Sequence, residues 1–116
     1  MQKDRWDADT LARGEKAMSD LETFWGNFKA SAREERRLMM SQLPSLRSEL
    51  ADVSKADSYV LERLAKLDDA CRQLSRLQPM SFSEEDQIVF ALGDVSVIRG
   101  QLHILGIVED ETVAAK

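Results

Sequence analysis

A chain of 116 residues is one domain's worth, and with 43% hydrophobic and 32% charged residues, five Gly and two Pro it is neither collagen-like, low-complexity nor wholly disordered. Its longest apolar run, Ile88–Leu92, falls far short of the roughly 20 residues of a membrane span, and no apolar stretch follows the charges of residues 1–6, so a non-membrane, cytoplasmic protein without a signal peptide is expected. One cysteine, Cys71, excludes an internal disulfide and a cysteine-rich zinc site, and a net charge of −5 disfavours a nucleic-acid backbone as partner.

The first element is a helix over about 9–40. Leu11, Met18, Leu21, Trp25, Phe28 and Ala32 recur at helical spacing apart from a gap around Gly14, and Phe24 widens the stripe. Asp9 or Thr10 is placed to cap its start. Residues 30–37 lose the stripe but keep strong helix formers. Lys29, Arg33, Arg36 and Arg37 form the chain's basic cluster there. Glu34 and Glu35 dilute it, and a solvated helix face is the expected reading over a contact with an acidic partner or phosphate.

Pro44 is the first punctuation, because it lacks an amide donor and pushes Leu43 away from helical dihedrals. Ser41 is placed to cap a new helix with Pro44 in its first turn. Two readings stay open at this point: a hairpin around 41–45, or a kinked continuous helix. A second helix over about 45–77 then carries the most regular pattern in the chain. Met39, Leu43, Leu46, Leu50, Val53, Asp57, Val60, Leu64, Leu67, Cys71 and Leu74 step by four and three, a heptad seam with one polar member. Such a helix is about 50 Å long, more than a shorter third helix can cover. Leu50, Val53, Val60, Leu64 and Leu67 are therefore expected at an interface with another chain. Asp57 then either pairs with a neighbouring chain's Arg or lies where the seam meets solvent. Among the aromatic residues, Phe24, Trp25 and Phe28 read as core, and Trp6, ahead of the helix, reads as a contact residue.

Gln78–Ser83 contains Pro79 and breaks the chain again. Ser81 with Glu84 fits a capping box, and Ser83 precedes Glu84, Glu85 and Asp86, three carboxylates that suit a helix amino end. A third helix over 84–105, with Ile88, Leu92, Val95, Leu102 and Leu105 on one face, competes with a hairpin turned by Gly93-Asp94, since β-branched residues crowd 89–108. The acidic, capped start favours the helix. Gly106 stops it, and 107–116 is read as an acidic tail.

No pattern here carries catalysis. Cys71 lies on the seam as a small buried hydrophobe, His103 stands far along the chain from it, and no Glu-x-x-His or glycine-rich phosphate loop occurs. No cofactor and no metal are expected. Gly93 and Gly100, seven apart, fall on one helix face where they permit close backbone approach.

Residues Ala91-Leu-Gly-Asp-Val-Ser-Val-Ile-Arg-Gly-Gln-Leu102 resemble the last helix of many small all-helical proteins of tailed bacteriophages, in which a Gly one turn ahead of an aliphatic residue and an Arg precedes a final hydrophobic turn. The Trp-centred segment Leu21-Glu-Thr-Phe-Trp-Gly-Asn-Phe28 is similar in kind. Gly100 and the β-branched crowding depart from that pattern. The resemblance implies a phage or prophage protein, in the virion, with no active site.

The sequence thus predicts an all-α fold: a three-helix bundle whose two long helices form an antiparallel hairpin against a shorter third. It predicts a non-enzymatic structural or assembly protein that works through helical interfaces, with a protein partner or further copies of itself. A small helical chaperone or adaptor that shields a partner's amphipathic helix is the alternative, and a nucleic-acid-binding regulator the least favoured.

Overall fold

The computed structural model describes residues 7–76 and 82–108. Among them 85% are helical and none is in a strand, so the hairpin reading of 89–108 is excluded and the all-α reading holds. The helices are α1 (Ala8–Ala30), α2 (Arg33–Met39), α3 (Leu43–Val53), α4 (Ser58–Leu74) and α5 (Glu84–Ile104). A 3₁₀ turn, Met40–Gln42, joins α2 to α3.

The expected first helix ends early. Asp7, rather than Asp9 or Thr10, caps α1: its carboxylate accepts from Thr10 N at 2.7 Å. At the other end Ser31 and Ala32 turn extended, with ψ of 158° and 161°. The chain then stays helical from Arg33 through Val53, tightened but not broken at Met40–Gln42. Pro44 sits in the first turn of α3, where its missing amide costs nothing, and Leu43 N donates to Met40 O in the 3₁₀ manner. The fold-back expected at 41–45 therefore lies about a dozen residues before Pro44, at Ser31-Ala32, and the continuous-helix reading describes Pro44 itself. Ser41 is no cap; its hydroxyl donates back to Leu38 O at 3.1 Å.

The expected second helix is two helices. Lys55 and Ala56 take φ of 56° and 57°, left-handed values that a side chain resists. Ala56 N donates to Ala51 O at 2.8 Å, which closes α3. Asp57 opens α4, its Oδ1 accepting from Tyr59 N at 3.0 Å and Val60 N at 3.1 Å. The heptad seam thus folds in half at 54–57, and its one polar member is the cap of the second half.

Cross-helix contacts fix the topology. Arg13 of α1 reaches Glu49 and Asp52 of α3, while Phe24 lies beside Gln42 and Leu46. Arg47 of α3 pairs with Asp68 of α4, and Ala51 lies beside Leu61. Along α4 and α5, Asp57, Arg63 and Gln73 meet Gln101, Asp94 and Gln87 in turn. Glu22 of α1 takes a two-pronged bond from Arg99 of α5, and Gly14 meets Ile107. In every pair one helix advances as the other retreats. Four helices, α1, α3, α4 and α5, alternate in direction around one core, in place of the expected three.

Phe28, Met18 and Leu21 of α1, Leu43 and Leu50 of α3, Leu64, Leu67 and Leu74 of α4, and Ile98 and Leu102 of α5 are the large side chains at the centre. Gly106, at φ 83°, ends α5 as expected, and Ile107 N returns to Leu102 O at 2.9 Å. Ile107 and Val108, the first two residues of the expected acidic tail over 107–116, are buried against the core. Residues 109–116 lie outside the described residues.

Candidate protein-binding surface

The seam residues expected at an interface lie in the core. Leu50, Val53, Val60, Leu64 and Leu67 are each at most 2% exposed. The reason is the turn at 54–57: it lays the two halves of the seam against each other, and α1 and α5 close over both. Asp57 is half-buried and opens α4, with the Tyr59 and Val60 amides and Gln101 as its partners within the chain. Trp6 lies outside the described residues.

The basic cluster divides. Lys29 and Arg37 are exposed, and Arg37 pairs with Glu34 at 2.6 Å, which fits a solvated face. Arg36 departs from it: only 3% exposed, it donates to Phe28 O, Lys29 O and Leu74 O and pairs with Glu84. Its role is to satisfy helix carbonyls inside the fold.

Cys71 is fully buried, and burial, reinforced by Asp68, pushes its thiol up from the usual 9.0 to about 12. His103 lies exposed near the end of α5 with Nδ1 3.3 Å from Val108 O. Among the described residues no group of three or more His, Cys, Asp and Glu is placed to hold a metal, and no helix is long and apolar enough to cross a membrane.

The surface feature that asks for an explanation is α5. Its inward face carries Ala91, Val95, Ile98 and Leu102, but also the polar Gln87 and Asp94. Asp94 takes an ion pair from Arg63 at 3.3 Å, and Gln87 bonds Gln73 at 3.3 Å. Its outward face carries Val89, Phe90, Leu92 and Ile104, which are 63%, 51%, 46% and 71% exposed. Phe82, just before the helix, is 56% exposed and meets Phe90 edge-on with ring centroids 5.7 Å apart. Two large aromatic rings thus spend their contact on each other in open solvent.

On one flank of this face, α4 supplies Arg63 and Lys66 to a shallow groove floored by Phe90, Gly93 and Val97. A helix with apolar residues all round its circumference is normally covered on every side. Here α1 and α4 cover only the inward side. The sequence carried the signal in two places: the longest apolar run, Ile88–Leu92, and the lack of clean periodicity after it. The run is too short for a membrane span, and with the β-branched crowding behind it, it marks a helix with two apolar faces. Leu92, expected on the inward face, points outward.

Comparison with known proteins finds no counterpart: no protein-family model, no curated protein and no solved structure matches the chain.

Proposed function

We propose that the chain is a non-enzymatic structural or assembly protein whose contact surface is the outer face of α5, rather than the seam of α3 and α4. The observation that carries this reading is the exposed set Phe82, Val89, Phe90 and Leu92 on a helix that already has a complete inward face. Large apolar side chains exposed along one helix mark a candidate contact surface, and aromatic residues are favoured at the centre of interfaces. The resemblance of 91–102 and 21–28 to tailed-phage proteins supports a component of a phage particle, working in the host cytoplasm or the virion.

The groove along Lys66 and Phe90 favours a second reading, a chaperone or adaptor that receives a partner's amphipathic helix. A nucleic-acid regulator remains disfavoured by the charge of −5.

The test is size exclusion with light scattering after co-expression with the neighbouring genes. The wild type is expected above its chain mass of 13.1 kDa, and Phe90→Glu is expected at that mass with its melting unchanged. A wild type that stays at 13.1 kDa beside all of those products contradicts the proposal.

A further inference from the structure

We propose that the turn at 54–57 is a hinge through which two copies of this chain exchange their α4–α5 pairs, with α3 and α4 of each copy fused into one straight helix. This goes beyond the reading of the α5 face as a contact surface and does not depend on it. The first observation is strain. Lys55 and Ala56 hold φ of 56° and 57°, a left-handed conformation that side chains disfavour. Where α5 stops, the chain uses glycine instead: Gly106 holds φ 83°. Between Val53 and Ser58 there is neither glycine nor proline, and Lys and Ala are good helix formers. Strained residues of this kind persist only where the surrounding fold holds them, and they gather at elements that switch.

The second observation is the spacing. A turn between two helices gives the apolar count no reason to run on through it. Yet Leu46, Leu50, Val53, Val60, Leu64 and Leu67 keep steps of four and three across 54–57, with Asp57 at the place between. The pattern is symmetric about Asp57. Val53 and Val60 lie four and three residues from it, Leu50 and Leu64 seven and seven, Leu46 and Leu67 eleven and ten. Arg47 and Asp68, ten and eleven residues from it, already form an ion pair across α3 and α4 at 3.6 Å. Straightened, residues 43–74 make a helix about 48 Å long at ~1.5 Å per residue. Two such helices, antiparallel about a two-fold axis at Asp57, meet in the register that α3 and α4 use within one chain.

The fold divides at the same place. Asp57 with Gln101, Arg63 with Asp94 and Gln73 with Gln87 join α4 to α5 along their length. Arg13 joins α1 to α3 through Glu49 and Asp52. The contacts between these two pairs, such as Glu22 with Arg99, are made equally well by the α4–α5 pair of another copy. Each exchanged unit is then the same four-helix bundle, with the same side chains buried.

The balance between the two forms therefore rests on the hinge and on concentration. Asp57 is the brake. In the single chain its carboxylate caps α4 through the Tyr59 and Val60 amides. In the fused helix it loses that role and faces its counterpart across the two-fold axis, like charge against like. Release of the left-handed strain at Lys55 and Ala56 acts in the opposite direction.

The experiment is refolding from urea at millimolar chain concentration, then size exclusion with light scattering after dilution. A Phe90→Glu background keeps the outer face of α5 out of it. A fraction at twice 13.1 kDa is expected, and it should persist on dilution, because return to the single chain requires the core to open. Asp57→Leu completes the seam and removes the cap, and is expected to raise the dimerisation constant about 100-fold, about tenfold from each copy. Asp57→Asn keeps a capping side chain without the charge and should raise it by less; it decides the matter where Asp57→Leu does not fold. Ala56→Gly is expected to lower the constant about 100-fold, because glycine relieves the strain of the turn and weakens the fused helix. Glu22→Arg and Arg99→Glu chains refolded together are expected to form mixed dimers in preference to either homodimer. Only exchange sets the reversed charge of one chain against that of the other.

Variants that stay at 13.1 kDa throughout overturn the proposal, as does a dimer indifferent to the substitutions at Asp57 and Ala56. A dimer in which the two charge-reversed chains mix at random is not an exchange of α4–α5, and overturns it as well. None of these outcomes bears on the α5 face, which the Phe90→Glu background removes.

Discussion

Arg36 Nε donates to the carbonyl oxygen of Phe28 at 2.9 Å, and through that bond the first residues of α2 complete the end of α1. The last carbonyls of a helix have no partner within it. Here one guanidinium supplies partners for two of them, Phe28 O and Lys29 O, and reaches Leu74 O at the end of α4 and Glu84 at the start of α5. Its carbon Cζ also lies 5.8 Å from the centre of the Phe28 ring. Four helices therefore meet on one side chain, at the end of the molecule where Phe82 and Phe90 begin the exposed face.

Arg36→Ala is expected to lower stability by about 2–3 kcal/mol, because it takes the side-chain donor from Lys29 O and Leu74 O, while Phe28 O keeps Ser31 N and the part-exposed Glu84 turns to water. Arg36→Lys is expected to recover less than half, since an ammonium cannot reproduce the planar fork. Urea unfolding of the three proteins checks this. Equal stability of Arg36→Ala and wild type would show that the clamp is ornamental.

The turn at 54–57 leads to a gain-of-stability prediction. Ala56 holds a φ of 57°, and relief of that strain outweighs the extra unfolded-state freedom of glycine. Ala56→Gly is expected to stabilise by about 0.5–1 kcal/mol, whereas Asp57→Ala, which removes the cap of α4, is expected to cost about 1–2 kcal/mol. Thermal melts that shift in the same direction for both variants would contradict the turn as described.

Gly14 and Gly26 both lie in α1 and should respond oppositely to alanine. At Gly14 the new methyl overlaps Ile107, with an expected net loss of about 1–2 kcal/mol. At Gly26 nothing lies within 4 Å, and helix propensity should add up to about 1 kcal/mol. Chemical denaturation reads the sign of each.

Cys71 gives a pH dependence. Burial raises its folded-state pKa from 9.0 to about 12, so its contribution to stability is complete below pH 9.0 and declines as pH rises from there toward about 12, because the unfolded thiol ionises first. Cys71→Ala should flatten the stability profile over that window. In the native protein the thiol should resist maleimide at neutral pH and react only on unfolding. Rapid labelling without unfolding would place Cys71 outside the core.

Much of this fold was legible in the sequence, and the parts that were not share a physical cause. The stripe of α1 and the capped acidic start of α5 read correctly as helix, because burial and capping leave their marks in the sequence, and the seam of α3 and α4 reads as an apolar helical surface, though one expected against another chain and found buried within this one. The break after Val53 was invisible because two non-glycine residues, Lys55 and Ala56, make the left-handed turn, and Val53 and Val60 keep the heptad count across it. Asp57, the polar member of the seam, was the visible trace of that turn. Arg36 could not be told from Lys29 or Arg37 by type or spacing, since its burial depends on carbonyls from α1 and α4. The exposed face of α5 was present as an aperiodic apolar run, and only the position of α1 and α4 shows which of its residues face out.

The most direct measurement is light scattering coupled to size exclusion on Leu64→Glu and Phe90→Glu, with circular dichroism of the same fractions. Leu64 is core at 2% exposure and Phe90 is surface at 51%. The account predicts that Leu64→Glu loses its helical signal, whereas Phe90→Glu keeps it and elutes at the 13.1 kDa chain mass where the wild type does not. A folded, dissociated Leu64→Glu beside a Phe90→Glu that stays assembled would return the interface to the seam and contradict the account.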